Sequence, residues 1–235
     1  MNINLTAPTQ WSDLNADQFR KVVEILLAPL SDEERLLCLF CALTGVQVAG
    51  RVKRGTLFVT ADGRKFTLKA WELEDFSERQ RWLVETEPDY VPNPTKVDEY
   101  LRDMSFGDWY ETDTLIRLFE ADNDLGHFDA IRPKLGIKAY EPASELDATV
   151  IRLWWNWAMG QIQPRYPNVF VKSDGEGKGE NDPFKNLQDL HLMLNDGRPQ
   201  DNTLIDEANV HDVLSAIDYK IDQSRKAMEM MRKGN

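Results

Sequence analysis

Two cysteines with a spacing used in redox and zinc chemistry, Cys38 and Cys41, form a CxxC motif. A redox-active dithiol places its first cysteine at an exposed helix N-terminus, where the helix dipole lowers the thiol pKa. Here both cysteines fall within the apolar run 36–42, which predicts a buried helix. A zinc site would need two further ligands, and the three histidines of the chain are isolated in sequence. The pair is therefore interpreted as core packing, since free cysteine behaves as a small hydrophobe.

An acidic, glycine-rich segment at 173–182, SDGEGKGEND, has the composition of a calcium-binding loop. An EF-hand counted from Asp174 needs an oxygen ligand at position five and a glutamate at position twelve. Those positions hold Lys178 and Lys185. A phosphate-binding P-loop is also excluded, because Lys178 is followed by Gly179 and not by serine or threonine. The sequence predicts a flexible, solvated loop without a metal or nucleotide.

The histidines show no catalytic spacing. His127, His191 and His211 lack an HExxH pattern, and His211 precedes Asp212 directly, so their side chains would point to different faces of a helix. No serine lies in a nucleophile elbow, and no pair of carboxylates stands out for acid–base work. We therefore predict a protein that is not an enzyme, with no catalytic, cofactor or metal site. The alternative is a cryptic enzyme, in which carboxylates converge with His191 or His211.

Four side chains are candidates for binding a protein partner: Trp155, Met228, Met230 and Met231. In the WWNW motif, Trp154 and Trp157 lie on one helical face and Trp155 on another. Two interpretations of Trp155 stay open, an edge position in the core and an anchor for a partner. The methionines follow an apolar stripe that weakens after Ile221. They form either an adaptable binding tip with nearby basic residues or a frayed helix end.

Charge and hydropathy limit the classes of partner. The 235-residue chain carries 28 basic and 40 acidic residues, a net charge of −12, and no long basic run. Such a surface repels the phosphate backbone, so we expect no nucleic acid partner. No run approaches the roughly 18 apolar residues of a membrane span, and the N-terminus lacks a signal-peptide core. These patterns predict a soluble, cytoplasmic protein with a protein partner.

The periodicity of the chain predicts an α+β fold that is predominantly helical, with one small antiparallel β-hairpin near residues 52–68. Asn15 is predicted to be the N-cap of the first helix, and Ser31 with Glu34 to form a capping box that opens the second. The proline-rich segment 87–94 divides an N-terminal part, 1–88, from a helical lobe, 95–235, or lies within a single domain. Further helices are predicted at 70–84, 108–120, 144–162, 184–194 and 205–231.

Several short motifs occur in an order that resembles an uncharacterised family encoded in tailed phages and prophages of Bacteroides-type bacteria. They are LTAPTQW at 5–11, the hairpin at 55–68 with its DGRK turn, the tryptophan-rich helix ending in PRYP at 164–167, the NDG loop at 195–197, and VLSAID at 213–218. The resemblance covers most of the chain in order. Residues 89–135 depart most from the family pattern.

The resemblance implies a product of the phage tail module. Such proteins look like tail assembly chaperones, which hold the hydrophobic tape-measure protein in the host cytoplasm until tube subunits replace them. The implied function is a non-enzymatic tail assembly chaperone or tail accessory factor. The alternative is a structural component of the tail or neck in the virion. The resemblance implies no particular binding residue in this chain.

Overall fold

The computed structural model describes residues 5–52, 56–61, 64–138, 140–170, 183–195 and 197–233. Two features predicted from the sequence lie outside these residues: the glycine-rich loop at 173–182 and the Asp62–Gly63 turn. The described part has ten α-helices and one sheet of three strands. It confirms a predominantly helical α+β fold.

The helices and strands follow one another in a simple order along the chain. The helices are α1 Ala16–Leu27, α2 Asp32–Thr44, α3 Ala70–Arg79, α4 Trp82–Glu85, α5 Phe106–Asp122, α6 Gly126–Lys134, α7 Glu145–Ile162, α8 Pro183–Leu194, α9 Asn202–Glu207 and α10 Val210–Lys233. The strands are β1 Gln47–Val52, β2 Thr56–Ala61 and β3 Arg64–Lys69, all between α2 and α3.

The first two helices begin at the cap residues that the sequence predicts, and at α1 the predicted N-cap is part of a full capping box. Asn15 accepts a hydrogen bond from the amide of Gln18, whose side chain accepts one from the Asn15 amide. Ser31 and Glu34 repeat this arrangement at α2, and the Ser31 hydroxyl and amide lower the pKa of Glu34. α2 ends at Gly45, whose φ of 71° is a left-handed conformation that glycine adopts without a steric penalty. Hydrogen bonds between residues three apart therefore determine where both helices begin.

The sheet is larger than the predicted hairpin. β2 and β3 pair antiparallel, with Ala61 opposite Arg64, as a hairpin requires. β1 adds a third antiparallel strand beside β2, and the order is β1-β2-β3. Its register shifts between Val48 and Gly50, an irregularity that breaks the alternation along β1. The predicted hairpin is thus present, and β1 extends it to a sheet of three strands.

The chain packs as two compact units. The first contains Met1–Pro94 and Glu145–Trp157, and the second contains Thr95–Ser144 and Ala158–Asn235. The division after Pro94 falls in the proline-rich segment. Residues Glu145–Trp157, however, belong to the first unit, whereas the sequence prediction placed them in the C-terminal lobe.

An aromatic cluster forms the core of the first unit. The ring of Trp11 lies 5.8 Å from that of Phe19 and 5.4 Å from that of Trp82, and its indole N–H donates to the carbonyl of Thr86 at 3.1 Å. Phe40 of α2 and Phe76 of α3 meet edge to face at 5.0 Å. Edge-to-face pairs add stability beyond the area they bury. The ring contacts join the segment before α1 to α1 and α4, and they join α2 to α3.

The second unit is built around α5, α6 and α10. Phe119 of α5 and Phe128 of α6 meet edge to face at 5.0 Å, and the Trp109 indole donates to the Met159 sulfur at 3.3 Å. α6 lies in the region where the sequence predicts no element, and Pro133 occupies its last turn. No helix among the described residues is both long and apolar enough to cross a lipid bilayer.

A tight turn before α5 depends on Asp98. Its carboxylate accepts from the amide of Tyr100 at 2.9 Å and from two guanidinium nitrogens of Arg102 at 2.9 and 2.7 Å. The turn holds the fully buried Leu101 at a φ of 55°, an uncommon conformation for a non-glycine residue. The hydrogen bond from Arg102 is the main reason that the pKa of Asp98 falls from 3.8 to about 2.

We expect Asp98→Asn to reduce the free energy of unfolding by about 1 kcal/mol at pH 7, an amount discounted for the partial exposure of the pair. Because the folded-state pKa lies below the ordinary value, the stabilisation is complete above pH 3.8 and is lost as the pH falls toward 2. Urea unfolding at several pH values measures this difference between wild type and variant. A difference that stays constant down to pH 2 would contradict the assignment.

Candidate protein-binding site

The last helix begins after a break that the sequence does not reveal. The predicted helix at 205–231 is in fact two helices, α9 and α10, because Ala208 adopts an extended conformation, with a ψ of 155°. The Asn209 side chain accepts from the His211 amide at 2.9 Å and donates to the Arg102 carbonyl at 2.6 Å. Asn209 thus satisfies an amide in the first turn of α10 and fixes the helix start.

Backbone hydrogen bonds attach this helix start to the segment before α5. The amide of Phe106 donates to the Ala208 carbonyl at 2.8 Å, and the amide of Val210 donates to the Met104 carbonyl at 3.0 Å. Ser105 and Asn209 consequently form an isolated antiparallel bridge. The two segments hold the first turn of α10 at a defined position in the second unit.

The first half of α10 is buried along one face. The residues of this face, each at most 6% exposed, are Val210, Val213, Leu214 and Ile217. His211, beside them, donates from Nε2 to the Tyr100 carbonyl at 2.6 Å, because a carbonyl oxygen can only accept. Its Nδ1 lies within hydrogen-bonding distance of the Tyr166 hydroxyl, also at 2.6 Å. Both ring nitrogens of His211 are thus engaged in contacts that position α10.

Polar contacts also attach the middle of α10 to neighbouring segments of the second unit. Lys220 donates to the Met193 carbonyl at 2.6 Å, near the C-terminus of α8, where a cation is favoured. Asp218 accepts from the amide of Asn168 at 2.8 Å, and Arg225 donates to the Asn168 side chain at 2.9 Å. The anchored part of α10 therefore reaches Arg225.

Beyond Arg225, α10 continues as an exposed helix, which we call the tip, residues 226–233. Met228 is 63% exposed, and Met230 and Met231 are each 73% exposed. The structure keeps this segment helical to Lys233, so the three methionines lie on the same helix as the anchored half. An ion pair of 2.6 Å joins Asp222 to Lys226, and Asp222 raises the pKa of Lys226. Pairs of this i,i+4 type support helices whose side chains are in solvent.

The buried face of α10 continues onto the tip. Seven residues make almost two full helical turns, so positions seven apart lie on nearly the same face. Met228 follows Leu214 and Ile221 at this spacing, and Met231 follows Ile217 at twice the spacing. Because the apolar stripe weakens after Ile221, the sequence was not predicted to continue this face, although the seven-residue interval was the signal for it. The same face is thus buried in the first half of α10 and exposed at the tip.

Trp155 does not belong to an accessible surface. Trp154 and Trp155 are both fully buried, and Trp157 is the partly exposed member of the motif. The Trp157 indole donates to the Asp89 carbonyl at 3.0 Å and meets the Tyr90 ring at 5.2 Å. Trp155 is therefore not at the edge of the core, as one interpretation predicted. It also has no exposed surface with which to anchor a partner, as the other interpretation requires. The buried face of α7 is broad enough to include both Trp154 and Trp155, so the three-residue spacing of Trp154 and Trp157 did not identify the buried pair.

The remaining candidates from the sequence are two histidines, each beside a carboxylate, and the two cysteines. His127 contacts Asp122 at 2.9 Å, and His191 contacts Asp206 at 2.8 Å. Cys38 and Cys41 are free and lie within α2. Burial, followed by the nearby Cys38, raises the pKa of the Cys41 thiol, opposite to the shift in a reactive cysteine. Within the described ranges, no three His, Cys, Asp or Glu side chains are grouped as a metal site requires.

We expect Asn209→Ala to lower the free energy of unfolding by about 1–2 kcal/mol, because the helix loses its cap. The exposed Ser224→Ala on the same helix is the matched control and should change stability by less than about 0.5 kcal/mol. Chemical unfolding followed by circular dichroism measures both. Equal effects of the two substitutions would show that Asn209 does not fix the start of α10.

The chain matches no protein-family model, no curated protein sequence and no solved structure.

Proposed function

We propose that this protein is a non-enzymatic binding factor that holds an apolar helical segment of another protein against the tip of α10. The observation that carries the proposal is the continuation of the buried face of α10 as exposed Met228 and Met231. Large apolar side chains in register with a buried stripe are typical of a helix face that a partner covers.

The chemistry of the tip suits an apolar partner of variable sequence. Methionine is unbranched and polarisable, so a methionine surface adapts to different side chains. Residues 222–233 include two acidic residues, Asp222 and Glu229, and four basic residues, Arg225, Lys226, Arg232 and Lys233. A partner helix with apolar side chains flanked by carboxylates would complement this surface.

The specific form of the proposal is a tail assembly chaperone or tail accessory factor that works in the cytoplasm of the bacterial host. Its support is the resemblance in motif order, together with a net charge of −12, which would keep a complex with a hydrophobic client in solution. The client would be the tape-measure protein. No catalytic step, metal or cofactor is part of this function.

We expect co-expression with the tape-measure protein of the same phage or prophage to increase its soluble fraction and to give a recoverable complex. Met228→Asp/Met231→Asp should abolish both effects, because two carboxylates would be desolvated in an apolar contact. Gln223→Asp is the matched control, an exposed residue of α10 off the stripe, and should behave as wild type. Tape-measure protein that stays insoluble with wild type would refute the proposal.

The presence or absence of the protein in the finished particle distinguishes a virion component from a chaperone that binds through the same surface. A chaperone leaves before the particle is complete, so mass spectrometry of purified virions should not detect the chain. A stoichiometric copy in the particle would favour the structural role in the tail or neck. The order of genes gives a further check, since a tape-measure gene immediately downstream is expected for a tail chaperone.

A further inference from the structure

Five methionines of the second unit fall into two classes of exposure. Met228, Met230 and Met231 lie close together in sequence on the tip, and they are 63%, 73% and 73% exposed. Met104 and Met159 belong to the core, and they are 4% and 5% exposed. Because an oxidant dissolved in water attacks methionines that it can reach, the tip should be oxidised well before the core.

We propose that Met228 and Met231 are sites of reversible oxidation by hydrogen peroxide, which converts the tip from an apolar to a polar surface. This inference rests on the proposed function, since it concerns the regulation of binding at the same tip. The thioether sulfur attacks one oxygen of the peroxide, so that an S–O bond forms and the O–O bond breaks. The sulfur loses two electrons, and the departing hydroxide takes the proton of the transferred oxygen and leaves as water.

Oxidation at these two positions alters the face that a client covers. A thioether is flexible and apolar, whereas a sulfoxide is polar and accepts hydrogen bonds, and this change disrupts methionine-rich interfaces. Arg225 lies three residues before Met228 and Arg232 four residues after it, the spacings at which side chains are neighbours on a helix. A sulfoxide at Met228 therefore has water and cationic donors in the free protein. An apolar client would remove the water from that group, so its binding weakens.

Met230 is an internal control for the importance of this face. Successive residues of an α-helix are rotated by about 100°, so Met230 lies about 100° from Met231 and about 160° from Met228 around the helix axis. It is as exposed as Met231, at 73%. Oxidation of Met230 should therefore be as fast, but it should leave the apolar face of Met228 and Met231 intact.

Titration of the full chain with hydrogen peroxide, followed by peptide mapping with mass spectrometry, identifies the oxidised residues. Sulfoxide should appear at Met228, Met230 and Met231 before it appears at Met104 or Met159. Circular dichroism should show an unchanged helix content at that stage, because the core methionines are still intact. Oxidation of the core methionines as early as those of the tip would overturn the inference.

Retention on a hydrophobic-interaction column measures the apolar surface without any client. Peroxide should shorten the retention of wild type, and it should shorten that of Met228→Leu/Met231→Leu by less. Dithiothreitol alone reverses the sulfenic acids and disulfides of cysteine, so it should not restore the wild-type retention. Methionine sulfoxide reductases A and B, with dithiothreitol as the electron donor, should restore it. Unchanged retention of wild type with an oxidised tip would overturn the inference.

Light scattering of tape-measure protein diluted from denaturant measures the effect on client binding, with each variant compared with itself before and after peroxide. After oxidation, wild type and Met230→Leu should need about tenfold more chain to suppress aggregation. Met228→Leu/Met231→Leu should need less than about twofold more, because leucine has no sulfur to oxidise. Equal losses in the two leucine variants would overturn the inference. Untreated wild type that does not suppress aggregation would instead refute the proposed function, and the peptide map and column retention would still test the oxidation of the tip.

Discussion

The backbone hydrogen bonds between Met104–Phe106 and Ala208–Val210 determine which part of α10 is buried. Two amide-to-carbonyl hydrogen bonds and the Asn209 cap fix where this helix begins. Since the face of a helix rotates by about 100° per residue, a fixed start also fixes the direction of every later side chain. The buried stripe in the first half, the polar contacts of Lys220 and Arg225, and the exposure of the methionines all depend on that start.

The anchored half also explains how the tip stays helical. Isolated helices of fewer than about 12–15 residues are marginal in water, because the first turn is costly to form. The tip avoids that cost by continuing a helix whose nucleus is packed in the second unit. Methionine, lysine and arginine favour helices, and the Asp222–Lys226 pair adds support from the side chains.

Features set by neighbouring residues could be predicted from the sequence. The capping boxes of α1 and α2 depend on residues three apart, and the β2–β3 pairing depends on a short turn. Features that depend on distant contacts could not. α6 has only a weak amphipathic pattern, and the α9–α10 break at Ala208 has no glycine or proline. The burial of Trp155 depends on what surrounds α7, which its own spacing does not encode.

The helical state of the tip has a thermodynamic consequence. A disordered tail that folds on binding loses backbone entropy of about 1–2 kcal/mol for each residue that it orders. The tip of α10 is already ordered, so most of that loss occurs when the protein itself folds. More of the contact energy then appears as affinity, and a small apolar surface can hold a ligand that a flexible tail of the same composition would release.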